Sequence, residues 1–441
     1  MNNKKVISEV LDSFKIGHGE ITATPGPTVT LYEFRPQIGI RMSKIRNLKD
    51  EFTAALSASS VRVIAPMPNK GTVGIEVPNT DREIIPMNEM LCSAEYENTS
   101  MQLPLALGKQ TDGSVFMADL ATMPHLLVAG ATGMGKSVGL NVILASLLNK
   151  LTPDELKLVL VDPKQVELSV YNEIAKPYLA HLEGMPPICT DVDDARETLE
   201  AVIRLMESRY TLLNERGVRN LQEYNAVSNE KLPYYVVVID EYGDLILQSV
   251  GRDMERAICR IAQKARAVGI HMIISTQRPD AKIVTGSIKA NFPTRIAFRT
   301  TTGTDSRVIL DRIGAERLTG KGDMLFFNGG DSIRAQCAYI STEEVNDMCS
   351  ELCEKYASAE QTTLPGCPQA RSVRVVSPSL REYALYKVAG HDYVSGFISG
   401  TNLLEQLQEM GLVSCECDAR GYEVLVHSRS EVERILDEYI S

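Results

Sequence analysis

The sequence predicts an α/β fold, a largely parallel sheet covered by helices, and three observations carry that expectation. An apolar strand over 126–129 runs directly into Gly130-Ala131-Thr132-Gly133-Met134-Gly135-Lys136-Ser137. Helical periodicity follows at once, with Leu140, Ile143, Leu144 and Leu147 spaced as one buried helix face requires. Further strand-like runs at 156–162, 234–240, 272–275 and 295–298 alternate with helical stretches, one of them long, over 193–215. Several of these runs are apolar throughout, the pattern of strands buried on both faces.

The Gly-x-x-x-x-Gly-Lys-Ser segment, with a strand before it and a helix after it, reads as a phosphate-binding loop, Walker A. The glycines let backbone N–H groups turn toward phosphates. Lys136 faces the β/γ oxygens of ATP and Ser137 offers its hydroxyl to Mg²⁺. A glycine-rich turn that binds nothing is the alternative, and the strand and helix on either side argue against it.

The run Val236-Val237-Val238-Ile239 ends in Asp240-Glu241, the Walker B pattern. Asp240 is expected to hold Mg²⁺ through water, and Glu241 to orient and deprotonate the attacking water. The next helix carries an apolar face of Ile258, Ile261, Ala262, Ala265 and Val268, with Arg252, Arg256, Arg260 and Lys264 opposite. Arg266 lies between those faces. It reads either as a group reaching a neighbouring subunit's γ-phosphate or as a flank arginine paired to a carboxylate. Thr276-Gln277-Arg278-Pro279 is a polar exit from the fourth strand, at the sheet end where ligands bind, and it positions Gln277 as a sensor of the γ-phosphate or the attacking water. Arg278, Lys289 and Arg307 are long cations in loop-like or helix-edge settings suited to a phosphate backbone.

Composition bounds the rest. The 441 residues suit two or three domains, and 44% hydrophobic with 23% charged residues are ordinary globular values. No apolar run reaches the roughly 18 residues of a membrane span, and no signal peptide is expected. The nine cysteines lack zinc-type spacing and read as reduced thiols. Net charge is −11, yet residues 252–321 hold 14 Lys+Arg against 6 Asp+Glu. Such a basic stripe is either a footprint for a polyanion or a solvated helix face.

Residues 1–100 read as a small α+β domain, with strands at 28–34, 61–64 and 73–77, a helix near 45–56, and turns at Pro25-Gly26-Pro27 and Pro66-Met67-Pro68. Residues 101–345 form the phosphate-loop domain and 346–375 a charged helix and linker. Residues 376–441 read as a compact C-terminal unit with a helix around 403–410 and a strand at 422–426. That unit is acidic, with 5 Lys+Arg against 11 Asp+Glu over 377–441, the wrong sign for gripping phosphates.

These motifs together resemble the motor region of the FtsK/SpoIIIE family of DNA translocases. The resemblance runs through Gly26-Pro27-Thr28, Met123-Pro124-His125, Asp162-Pro163-Lys164, Gly217-Val218-Arg219-Asn220-Leu221 and Gln263-Lys264-Ala265-Arg266. It continues through Ser275-Thr276-Gln277-Arg278-Pro279, Ile288-Lys289-Ala290-Asn291, Asp305-Ser306-Arg307 and Gly322-Asp323-Met324-Leu325. It implies a RecA-like P-loop ATPase using ATP and Mg²⁺, assembled as a homo-hexamer around double-stranded DNA, with Arg266 as the trans-acting arginine finger. It sets Arg278, Lys289 and Arg307 in loops facing the channel. The expected role is ATP-driven DNA translocation in chromosome segregation or cell division, in the bacterial cytoplasm with peripheral association at the division site. The alternatives are a mobile-element or conjugative DNA-transfer motor, or a nucleotide-binding scaffold without turnover. A strand-exchange filament shares the core fold and nothing more. Gly303 departs from the basic residue common there in the family, and no membrane anchor is expected in this chain. The C-terminal unit is expected to be winged-helix-like, with a protein partner favoured over DNA reading.

Overall fold

In the computed structural model, residues 3–366 are described apart from 68–69, 249–252 and 331. Beyond 366, only 393–394, 407, 412–418, 421–425, 428 and 432–435 are described. Two compact units divide the chain, Met1–Pro365 and Gly366–Ser441.

The first unit opens with the helix Asn3–Ser13 and a four-stranded antiparallel sheet of β1 (Thr22–Pro25), β2 (Val29–Phe34), β3 (Arg62–Ile64) and β4 (Val73–Pro78), in the order β1-β2-β4-β3. Two short helices, Met42–Arg46 and Lys49–Ala55, stand where one was expected. Ile7, Leu11, Phe34, Ile45, Phe52 and Ile75 close a small core of their own.

A ten-stranded mixed sheet dominates the rest. Its strands are β5 (Pro104–Gln110), β6 (Val115–Asp119), β7 (His125–Ala129), β8 (Leu156–Val161), β10 (Ile188–Cys189), β11 (Tyr234–Ile239), β12 (Ile270–Thr276), β13 (Thr294–Phe298), β14 (Asp323–Asn328) and β15 (Ile333–Cys337), after a short β9 (Ala180–His181) that lies outside it. The spatial order is β10-β8-β11-β12-β7-β13-β14-β15-β5-β6. The first six run parallel and the last four extend the sheet antiparallel. Helices Lys136–Lys150 and Val192–Arg216 pack against separate cores on the two faces. Leu140, Ile143, Leu144 and Leu147 are all buried, as their spacing demands. A buried ion network joins the small sheet to the large one. Arg334 on β15 contacts Glu76 on β4 at 2.5 Å and Asp323 on β14 at 2.7 Å, and the two carboxylates outweigh burial to hold the guanidinium charged.

Two expected boundaries shift. Ile85, Met87, Met90 and Tyr96 join the core of the large sheet, so the small N-terminal core ends with β4 rather than at residue 100. The helix Thr342–Lys355 buries Val345, Cys349 and Leu352 in that same core, and Thr362–Thr363, β16, pairs with β9, so the chain after 345 is built into the first unit rather than serving as linker. In the second unit β17 (Tyr393–Val394), β18 (Val413–Asp418) and β19 (Gly421–Val424) form a sheet in the order β17-β19-β18, with Leu407, Leu412, Val413, Val424 and Val432 buried. The helix expected at 403–410 lies, but for residue 407, outside the described residues, as does Arg252.

Candidate nucleotide site and basic surface

The phosphate loop leaves the C-terminal end of β7, and the helix Lys136–Lys150 begins on its lysine. Gly135 holds φ at +117°, and a Cβ there would meet the Gly322 backbone nitrogen at 2.7 Å, so only glycine fits that turn. The amides of Thr132, Gly133 and Gly135 have no hydrogen-bond partner among the described residues, which leaves three N–H donors for an anion. A cavity of 370 Å³ lies over the loop, bounded also by Gln277, Gly322 and Tyr339.

Parallel pairing sets the acids beside it. β11 is separated from β7 by β12 alone, so the ends of the three strands bring Asp240, Ser275 and Lys136 together. Lys136 Nζ donates to Asp240 Oδ1 at 2.5 Å and to Ser275 Oγ at 3.0 Å, and Ser275 Oγ donates to the same Asp240 oxygen at 2.5 Å. Asp240 Oδ2 is buried without a partner among the described residues, a spare acceptor that fits a cation's water shell.

Glu241 is fully buried and adopts φ of +47°, a strained conformation for a residue with a side chain. Thr276 Oγ1 donates to its Oε1 at 2.8 Å, the Gln277 amide reaches both oxygens, and Lys164 Nζ contacts Oε2 at 3.2 Å. Burial lowers the Lys164 pKa, but its bonds to Glu241 and the charges of Glu241 and Asp244 raise it more, leaving the ammonium above its ordinary value. Gln277 Oε1 accepts from Thr132 Oγ1 at 2.7 Å, so it spans the phosphate loop and the Walker B acid.

Sequence reasoning missed Glu167, whose Oε1 accepts from Ser137 Oγ at 2.5 Å. It also missed why Glu167 is there: buried Asp162 accepts the amides of Lys164, Gln165, Val166 and Leu168 and so winds the loop after β8. The Asp162-Pro163-Lys164 triplet was the available signal, an Asx-type turn former at a strand end.

Arg266 lies in the turn Ala265–Val268 just before β12, at the opposite end of the parallel strands from the phosphate loop. A seven-residue strand is about 20 Å long, so Arg266 is out of reach of its own loop. It is exposed, its side chain forms no hydrogen bond or ion pair among the described residues, and it borders a 560 Å³ hollow with Arg219, Lys264 and Tyr234.

The three cations expected to face a channel sit on separate elements. Arg278 leaves the C-terminal end of β12 and lies 3.7 Å from Asp244. Lys289 sits on the helix Gly286–Asn291, not in a loop, and its Nζ contacts Asp311 at 2.6 Å beside the start of β13. Arg307 is on the helix Gly303–Leu310, also not in a loop; it is exposed and without a side-chain partner among the described residues.

The FtsK/SpoIIIE family description matches residues 86–231 and 226–281, and the FtsK alpha domain matches residues 1–79. The chain is 40% identical to the DNA translocase FtsK of Chlorobaculum tepidum over 459 residues, which cover 98% of this chain and 57% of that protein. It is 43% identical to the DNA translocase SftA of Bacillus subtilis over 356 residues, 79% of this chain and 37% of that one. The chain thus spans little more than half the length of the first of these relatives. Among solved structures it is similar to the pCW3 conjugation coupling protein TcpA with ATPγS, at a TM-score of 0.55 and 25% identity, over 79% of this chain and 99% of that one. The same fold recurs in ATPases 2 and 3 of EssC from Geobacillus thermodenitrificans, at a TM-score of 0.54 and 18% identity, over 67% of this chain and 57% of that one.

Proposed function

The chain belongs to the FtsK/SpoIIIE family, and on that premise we propose that it is an ATP-driven motor that moves along double-stranded DNA as a ring of six copies. The observation that carries the catalytic half is Glu241, held beside the phosphate loop by Thr276 and Gln277, with Gln277 reaching across to Thr132. The names of the relatives, DNA translocases, support the DNA half.

ATP binds with its phosphates on the free amides of Thr132, Gly133 and Gly135, and Lys136 exchanges its bond to Asp240 for the β/γ oxygens. Ser137 and Asp240 would hold Mg²⁺, which would supply charge neutralisation on the phosphates, and Asp240 Oδ2, unpaired among the described residues, fits that task. Glu241 orients and deprotonates the attacking water, and Gln277 reports the γ-phosphate to the Walker B acid. Arg266, unable to act on its own site, serves the ATP of the neighbouring copy. Arg278, Lys289 and Arg307 meet the DNA backbone through phosphates, since a motor that travels over any sequence cannot depend on base edges.

The N-terminal domain is taken to end with β4, the phosphate-loop domain to run to about residue 365, and the C-terminal unit to follow it; that unit is winged-helix-like and binds a protein partner. The cellular role is chromosome segregation or division, in the bacterial cytoplasm at the division site. A second reading, DNA transfer in conjugation, is favoured by the likeness to the coupling protein TcpA. Phosphate release with and without duplex DNA tests the proposal: the rate rises with duplex, and a rate indifferent to it contradicts the DNA half.

A further inference from the structure

We propose that Glu167 is the positioning residue for the Ser137 hydroxyl, accepting its hydrogen bond so that the oxygen's lone pairs are left for a divalent cation. The inference rests on the reading of this site as one for Mg²⁺ and ATP. A serine hydroxyl has one proton and two lone pairs, so it ligates a cation well only when the proton is directed at another acceptor. Asp240 is the obvious acceptor, but its Oδ1 already takes Lys136 and Ser275, both at 2.5 Å, and no hydrogen bond joins it to Ser137. Ser137 Oγ donates to Glu167 Oε1 instead, at 2.5 Å.

The placement is built into the fold. β8 lies beside β11 in parallel register, Val161 opposite Ile239, so the loop leaving β8 emerges next to Asp240. Asp162 fixes that loop with four hydrogen bonds from backbone amides at 3.0 to 3.1 Å, and fully buried Leu168 anchors its far side in the core. Glu167, half-buried between these two fixed points, has Ser137 as its side-chain partner. A carboxylate that orients a metal ligand from behind is typically worth about 10–100-fold in metal affinity.

The test is Mg²⁺-dependent binding of a fluorescent non-hydrolysable ATP analogue to the full chain, with binding in EDTA and the melting temperature measured alongside. Glu167→Ala should need about 10–100 times more Mg²⁺, with binding in EDTA and melting unchanged. Glu167→Gln, whose amide oxygen still accepts the proton, should stay within a few fold of the unaltered protein. In a Ser137→Ala background, Glu167→Ala should add nothing. A Glu167→Ala protein with the original Mg²⁺ requirement overturns the inference, and so does an undiminished effect in the Ser137→Ala background, which would make Glu167 act directly. If the unaltered protein binds the analogue without regard to Mg²⁺, the reading of the site falls as well. If it depends on Mg²⁺ and Glu167→Ala does not alter that, this inference alone fails.

Discussion

The backbone amide of Gln277 donates to both carboxylate oxygens of Glu241, at 3.2 and 3.1 Å. The same residue's side chain holds Thr132 of the phosphate loop, so one residue links the loop to the acid. Glu241→Gln keeps an acceptor for Thr276 and Gln277 and removes the charge. It should bind ATP normally and hydrolyse it on the order of 10²–10⁴-fold more slowly. Equilibrium binding and phosphate release check this; loss of binding would mean that the roles of Asp240 and Glu241 are assigned wrongly.

The Arg266 side chain has no hydrogen-bond or ion-pair partner among the described residues of its own chain, and the residue lies a strand's length from its own phosphate loop. Arg266→Ala and Lys136→Ala proteins should each be inactive, for different reasons. Mixed, they should recover part of the ATPase activity, because some interfaces then pair an intact loop with an intact arginine. Mixed rings that form, as seen by native mass spectrometry, yet stay inactive would rule out action in trans.

His125 on β7 and His271 on β12 lie with ring centroids 6.3 Å apart, both buried. Burial, then the neighbouring His271 and more distant Arg266, lower the His125 pKa to about 3; burial lowers that of His271 to about 4, against a favourable bond to the Pro124 carbonyl. Both pKa values fall below the unfolded value, so the unfolded chain binds more protons and stability is lost as pH drops through about 6.5 toward 4. The slope is up to about 1.4 kcal/mol per pH unit for each histidine. Urea unfolding between about pH 7 and 4.5 should show His271→Gln with a shallower decline than the unaltered protein. Equal slopes would contradict this account of acid sensitivity.

Much of the nucleotide site was legible because its parts are local. The phosphate loop and the 236–241 run are continuous segments whose chemistry follows from their own residues, and parallel strands carry their ends to one edge. The antiparallel extension through β14, β15, β5 and β6 was not legible, since its strands are far apart in sequence and nothing local specifies their pairing. Glu167 was invisible because its role depends on where four amides of a neighbouring turn point, not on a side-chain pattern. The tie between Lys289 and Asp311 was not legible, because the two residues lie on different elements.

That partnership refines the expected DNA grip. Neutralising Arg278, Lys289 and Arg307 together should weaken duplex binding evenly across sequences and flatten its salt dependence, by up to about 0.9 in log–log slope for each DNA phosphate left without its cation. Arg307, exposed and without a side-chain partner among the described residues, should account for more of the loss than Lys289, which is tied to Asp311, a carboxylate it shares with Arg295. Neutralising Arg381, Arg420 and Arg429 in the acidic C-terminal unit should change little. Binding of short duplexes at several salt concentrations decides it, and a larger drop in affinity from the C-terminal variant would move the DNA to the other unit.

If hydrolysis moves the protein along duplex DNA, displacement of a labelled third strand from a DNA triplex reads that movement directly. The unaltered protein should release the third strand when ATP is supplied, and neither Lys136→Ala nor Glu241→Gln should do so. Brisk ATP hydrolysis on the same DNA with the third strand left in place would contradict a translocating motor.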